Sequence, residues 1–380
     1  MQEGKYDQAI AEFTKAIELA PDLAGAYQNR GNAYLYKREL NKAIADYNRT
    51  LELAPTHTKT YTQRGYAYFL NNELDKVISD YDRAIELDPE NTQTYYYRGM
   101  YYDYIGENDK AIADYTRAIE LNPNYAEAYN NRGGTYGKMG QYDKAIADFT
   151  RATELVPDYA QAYRNIGLAC ESQGDYDKAL ENYTKAIELA PDYVQAYTNR
   201  ASAYASKGKY DEAIADYSRA IDLDPELVDA YNYRGDIYDF KGEHEKAIAD
   251  YTKAIELNPN DAPTYSARGY SYARIQNYDK ALADFSKAIE IKPDFVLAYA
   301  QRGQVYYLME QYEQAILDCS RAIDLEPQYA EAYGNRGHFY DMLGKKTEAI
   351  ADFEMFIKLS DDPILIERTK QRIRELRTGG

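Results

Sequence analysis

Three histidines, two cysteines and many carboxylates are the side chains of this 380-residue chain that could act on a substrate or hold a metal. Metal binding needs ligands at short, fixed spacings, and His57, His244 and His338 lie far apart with no Cys or His neighbour at such a distance. Cys170 and Cys319 stand where aromatic residues recur elsewhere in the chain, which marks them as buried inert thiols and not nucleophiles. The paired carboxylates recur on a regular period, the usual pattern of a solvated face. The glycines are spaced by the same period and form no phosphate-cradling loop. The closing "RTGG" has no β-grasp sequence before it and is read as a frayed end. The expectation from these residues is a protein that is not an enzyme and takes no cofactor and no metal.

Bulk composition narrows the partners. The formal net charge of −18 argues against a nucleic-acid backbone, which calls for clustered Lys and Arg, and against an anionic membrane surface. No apolar run approaches the roughly 18 residues of a membrane span. The start, "MQEGKYDQAI", has no apolar core of a secretory signal. Two cysteines form no disulfide framework and fix no compartment, so a reducing cytoplasm is the default expectation. One bias asks for a local cause: 44 tyrosines and no tryptophan. It is densest in "YYYRGMYYDY", Tyr95 to Tyr104.

The elements that must position these residues repeat with a period of 34: "AIADYTRAIELNPNYAEAYNNRGGTY" near residue 111 returns as "AIADYTKAIELNPNDAPTYSARGYSY" near residue 247. With the glycine of "RG" as position 8, full repeats begin at Ala24, Thr58, Thr92, Ala126, Ala160, Val194, Val228, Ala262, Val296 and Ala330. Each predicts two helices. In the fourth, Ala126, Tyr129, Gly133 and Tyr136 share one face, and Gly140 stands at the helix stop, where positive φ is needed. Ala145, Phe149, Ala152 and Leu155 share a face of the second helix, and Pro157-Asp158 ends it with Asp158 as the next N-cap.

An aromatic at position 4, Gly at 8, Tyr at 11, Ala at 20, an aromatic at 24, Ala at 27 and Pro at 32 together resemble the tetratricopeptide repeat family. Departures are few: Ala201 replaces Gly at 8, Val77 replaces Ala at 20, and Thr50 and Phe356 replace Ala at 27. The resemblance implies an all-α, right-handed superhelical solenoid of helix-turn-helix repeats whose first helices line a concave groove. It implies a non-catalytic scaffold that binds a peptide or protein segment there. Alternatives are the interaction arm of a larger enzyme or regulator truncated upstream, and a self-assembling scaffold. Some members of the family clamp a C-terminal carboxylate with Lys and Asn on successive repeats. Here Lys59 at position 2 is followed by Gln63 at position 6, not Arg, and no three consecutive repeats carry the set.

The expected organisation is a half repeat over 1–23, ten repeats over 24–363, a capping helix over 364–377 and a tail at 378–380. The half repeat keeps only its second helix, with Ala9, Phe13 and Ala16 facing an absent neighbour, and this open edge offers a surface for self-association. At the other end Leu365, Thr369, Ile373 and Leu376 share the apolar face of the cap, and Arg368, Lys370, Arg372, Arg374 and Arg377 make its outer face basic. Position 7, usually apolar in the family, is Arg in nine of ten repeats, and position 23 is Asp in nine. Both are missing from the same repeat, which carries Ile166 and Asn182. An ion pair inside each repeat accounts for the joint exception, since losing one partner strands the other.

Within the tyrosine stretch, Tyr95 and Tyr102 fall on framework positions 4 and 11, and Tyr101 on inter-repeat packing. By the family's pattern, positions 2, 5, 6, 9, 12 and 13 face the groove. The expected peptide-binding floor is Tyr96, Tyr97, Met100 and Tyr104, flanked by Gln63, Tyr66 and Phe69 before it and Asn130, Asn131 and Lys138 after it. Tyrosine offers large area, few rotors and one polar tip, and asparagine can meet a peptide backbone with donor and acceptor. A secondary acidic patch, Asp229, Tyr233, Asp236 and Asp239 with Phe240, suits a Lys- or Arg-bearing segment.

Overall fold

A computed structural model describes residues 2–378; Gly379 and Gly380 of the expected tail lie outside the described residues. The described residues form twenty-two α-helices and are all-α. Contacts divide the chain into two units, Met1–Ala196 and Tyr197–Gly380. The first unit opens with α1 (Gln2–Leu19). Helical hairpins follow: α2 (Ala24–Tyr36) with α3 (Leu40–Leu53), α4 (Thr58–Leu70) with α5 (Leu74–Leu87), and α6 (Thr92–Tyr104) with α7 (Asn108–Leu121). Next come α8 (Ala126–Lys138) with α9 (Tyr142–Leu155), and α10 (Ala160–Ser172) with α11 (Tyr176–Leu189). The boundary falls in α12 (Val194–Ser206), which α13 (Tyr210–Leu223) follows. The second unit continues with α14 (Val228–Phe240) and α15 (His244–Leu257), α16 (Ala262–Arg274) and α17 (Tyr278–Ile291), and α18 (Val296–Leu308) and α19 (Tyr312–Leu325). It ends with α20 (Ala330–Met342), α21 (Lys346–Leu359) and the single helix α22 (Pro363–Thr378).

Most hairpins close on a glycine facing a ring; Ala201 takes the glycine's place in the sixth repeat and Cys319 the ring's in the ninth. A Cβ on Gly99 would meet the Tyr115 ring at 2.8 Å, and one on Gly167 would meet Tyr183 at 2.5 Å. The position-24 aromatic therefore packs directly on position 8. Position 20 is sealed beside it: Ala111, Ala145, Ala179 and Val77 are each 0 % exposed. Where Cys319 replaces the ring, the space over Gly303 relaxes, and the nearest sulfur contact of an added Cβ is 3.5 Å.

The turn inside each hairpin needs one left-handed residue. Gly140 supplies it at φ +72°, and the Gln141 amide reaches back to the Tyr136 carbonyl, closing the helix end. Arg38, Asn72, Gln276 and Glu310 hold the same turn at φ near +60° without being glycine. The turn between repeats differs from the expectation. The N-cap of α10 is Tyr159, not Asp158, and makes no side-chain cap. The Tyr159 carbonyl instead accepts from the Ala162 amide at 2.9 Å, so backbone replaces the side-chain cap.

The ends behave unequally. Ala9, Phe13 and Ala16 on α1 are half-buried, whereas their equivalents Ala43, Tyr47 and Thr50 on α3 are fully buried. On α22, Ile373 and Leu376 are buried against Phe353, with Thr369 half-buried. Leu365, expected on that face, is 44 % exposed: the first turn of α22 lies outside the apolar contact made by Ile373 and Leu376, and Asp362 caps its Ile364 and Leu365 amides. The basic face is largely paired: Arg372 grips Asp341 through two nitrogens, and Arg377 reaches Glu354.

Candidate functional site

The arginines of position 7 are the most regular polar feature. Arg98 Nε and Nη2 donate to Asp114 Oδ2 and Oδ1 at 2.7 and 2.8 Å, and Arg268 grips Asp284 in the same way at 2.8 Å each. The remaining pairs, from Arg30–Asp46 to Arg336–Asp352, repeat this geometry. The aspartates are buried and the guanidinium edges keep slight exposure, so a bidentate pair satisfies both groups. Hydrogen bonds to Asp284 and Asp318 hold the Arg268 and Arg302 guanidiniums above their ordinary range. Burial pushes the Asp80 and Asp114 carboxyls up, against the pull of their arginines.

One contact escaped the sequence reading. The third nitrogen, Nη1, crosses to position 25 of the preceding repeat: Arg64 to Asn48, Arg98 to Asp82, Arg132 to Thr116 and Arg336 to Ser320. These arginines thus tie their own two helices together and their repeats to the ones before. A polar residue at every position 25 was the available signal.

The tyrosine stretch divides between packing and surface. Tyr97 stacks on Tyr66, centroids 4.4 Å apart at 8°, and Tyr96 lies against Tyr97, Tyr115 and Tyr125. Tyr96 and Tyr97, expected to be exposed, are half-buried, because rings on successive first helices meet each other before they meet solvent. Burial pushes both phenols up, opposed by hydrogen bonds from Asn131 and Gln93 respectively. Tyr101 donates to the Leu74 carbonyl across the repeat boundary.

The amides are also committed. Asn165 Nδ2 donates to Asn130, Asn130 to Asn131, and Asn131 to the Tyr96 hydroxyl, a relay running over three successive first helices. Asn130 is 4 % exposed, its oxygen taken by Asn165 of the next repeat and its nitrogen by Asn131 beside it, and it borders the cleft described next. Gln63 and Tyr66 are half-buried. Tyr66 stands at position 9, where Asn32 accepts from the Tyr47 hydroxyl one repeat earlier; Tyr66 offers Tyr81 no such acceptor, and the buried Tyr81 hydroxyl has no partner.

Around this packed layer a cleft of about 470 Å³ remains open. Of the expected residues Phe69, Met100, Tyr104, Asn130, Asn131 and Lys138 line it, with Asp103, Gln161 and Asn165, which the sequence reading did not name. Tyr104 is 61 % exposed and meets Phe69 edge to face at 5.3 Å. Lys138 pairs with Asp103 at 2.6 Å and stays exposed.

The acidic patch on α14 is split. Asp229 and Tyr233 line one cleft of about 500 Å³ with Asn199 and Ser202, while Asp239 and Phe240 line another of about 610 Å³ with Tyr270, Arg274 and Leu297. Asp236 lines both. Asp239 accepts from Ser271 and contacts His244 Nδ1, each at 2.7 Å, and so does not present a free carboxylate. Asp236 has an exposed edge, yet the surrounding wall strips enough hydration to push its carboxyl up, with the Tyr251 hydroxyl opposing and Asp239 adding.

The residues that could do chemistry stay apart. His57 meets Thr60, and His338 meets the Tyr307 hydroxyl. Cys170 and Cys319 are buried, and burial pushes the Cys319 thiol up to about 12. Among the described residues no group of three His, Cys, Asp or Glu is arranged to hold a metal ion, and no helix is long and apolar enough to cross a membrane.

The 34-residue hairpin, with its glycine-on-ring contact and αL turn, defines a helical-repeat interaction protein. Models of the tetratricopeptide repeat match residues 24–57, 58–91, 124–192 and 228–329, and further models of the repeat match 1–37, 80–113, 101–140, 182–215, 201–239 and 319–351. The chain belongs to the tetratricopeptide repeat family. Among solved structures it is similar to a tetratricopeptide repeat protein from Parabacteroides merdae, at 22 % identity and TM-score 0.50 over 66 % of this chain and 98 % of that one. It is also similar to the C-terminal part of a repeat protein from Cytophaga hutchinsonii, at 19 % identity and TM-score 0.54 over 62 % and 98 %. The sequence matches none of the curated proteins.

Proposed function

We propose that this chain is a non-catalytic scaffold that binds a peptide or protein segment along the first helices of its second to fourth repeats. The cleft beside the tyrosine stack carries the reading: it presents Phe69, Met100 and the exposed Tyr104 beside the Lys138–Asp103 pair. Apolar area with a polar rim is the usual anatomy of a segment-binding surface. Tyr66, Tyr96, Tyr97, Gln63, Asn130 and Asn131 form the rigid wall that holds these groups in place. A second surface, on α14 to α18, is proposed from the Asp236 carboxylate beside Phe240, 72 % exposed, and Leu297, 45 % exposed, which suits a segment carrying a cation next to an apolar residue.

The test is a peptide-library pull-down with the chain and with a Met100→Ala, Tyr104→Ala variant, Tyr104 being exposed and Met100 half-buried, with helicity checked beside binding. Loss of the captured peptide, with affinity down about tenfold or more, supports the reading; hot-spot truncations cost about 2 kcal/mol or more. Equal binding moves the site away from this cleft. No capture, with mass that rises with concentration, favours self-association through the half-buried face of α1.

A further inference from the structure

The fifth repeat leaves open a place that the other nine fill. In those nine the position-7 guanidinium lies over the ring of the position-4 tyrosine at 5.6–5.9 Å, from Arg30 on Tyr27 to Arg336 on Tyr333. In the fifth, position 4 is still tyrosine, Tyr163, but position 7 is Ile166. Ile166 is buried, and an isoleucine is shorter than an arginine and carries no donor. The nearby Arg164 lies over a different ring, Tyr193, at 6.0 Å. Between Tyr163 and Asn182 lies a cleft of about 480 Å³, lined also by Leu180, Glu181, Thr184, Lys185 and Glu188.

The lining has the chemistry of the missing group's partners. Asn182 donates its Nδ2 to the Lys178 carbonyl, leaving its own oxygen as an acceptor. Glu181 is exposed and makes no ion pair or hydrogen bond among the described residues. It stands at position 22, which is alanine in seven of the ten repeats. Lys185 is tied to Glu188 at 3.1 Å, so the cleft carries a surplus carboxylate.

We propose that this vacated slot takes an arginine side chain from a partner protein, its guanidinium stacking on Tyr163 and pairing with Glu181. Arginine fits better than lysine because a planar guanidinium can stack and fork at once, as the nine internal examples do. The chain's net charge of −18 draws such a cation in. The site lies on position 4 of α10 and the outer turns of α11, shares no residue with the cleft beside the tyrosine stack, and stands or falls independently of it.

The test uses the full chain with labelled leucine methyls and the capped tripeptide acetyl-Gly-Arg-Gly-amide, with its citrulline counterpart as a neutral isostere. The arginine peptide is expected to shift the Leu180 methyl resonances, and the citrulline peptide to leave them in place. Glu181→Ala, which restores the commonest residue at its position, is expected to weaken binding about tenfold without changing the melt, the loss of one charge-assisted contact. Ile166→Arg with Asn182→Asp completes the internal ladder, so it is expected to abolish the shift. No shift with the arginine peptide overturns the proposal. So does an equal shift with citrulline, or undiminished binding by a folded Glu181→Ala variant.

Discussion

Asp284 accepts two hydrogen bonds from Arg268, whose third nitrogen is held by Thr252. Removing the carboxylate strands a guanidinium that keeps only that hydroxyl. Asp284→Ala is therefore expected to lower stability by about 3 kcal/mol, the low end for breaking a buried pair because the arginine keeps some exposure. Arg268→Ile with Asp284→Asn copies the fifth repeat and is expected to cost only about 1 kcal/mol, since no charge is left unpaired. Urea melts of the single and double variants decide it; equal losses would mean that the pair is not the unit. The pairing was legible from the joint exception of Ile166 and Asn182. The Nη1 contact to the preceding repeat was not, because it depends on how closely two hairpins stack. Nor was the fate of Asn130, an outward position by phase that is filled by its neighbours' amides.

The αL turn between the two helices of a hairpin works at the scale of one element. Gly140 adopts it freely, whereas Gln276 holds φ +62° at a steric cost of about 1 kcal/mol. Gln276→Gly is expected to raise stability by about 0.5–1 kcal/mol, and Gly140→Ala to lower it by about 1 kcal/mol. Thermal melts followed by helix signal should move in opposite directions for the two variants; movement in the same direction would contradict the strain argument. The glycine at this turn was legible in the fourth repeat. The helix starts were less so: Asp158 has the right chemistry for a cap, but the helix opens one residue later, where the Tyr159 backbone carbonyl does that job. On α22 the apolar period was legible, while Leu365 is exposed because the first turn lies outside the contact made by Ile373 and Leu376.

Across the whole molecule, the abundance of tyrosine sets the response to alkali. Burial pushes the phenols of Tyr47, Tyr81, Tyr115, Tyr183 and Tyr251 well above the ordinary value of 10.0. Above that value the unfolded chain releases phenolic protons that the folded chain retains, so unfolding is favoured as pH rises. Their contribution is complete below pH 10 and is lost above it, by about 1.4 kcal/mol per tyrosine per pH unit. Loss of helix signal is expected to coincide with the rise in phenolate absorbance. Phenolate appearing while the helices persist would show that these rings are not sealed.

The sequence by itself determined the period, the two helices of each repeat, the ion pair within it and the family, because each follows from residue type at a fixed spacing along one helix or hairpin. It left open which polar and aromatic groups stay free. Tyr96, Tyr97 and Asn130 turn from a binding floor into a wall, Asp239 is taken by Ser271 and His244, and the open places lie at Tyr104 and beside Tyr163. Those outcomes belong to the tertiary structure, because a side chain's availability depends on how the paired helix and the adjoining repeat pack on it, which residue type at a fixed spacing along one helix does not specify.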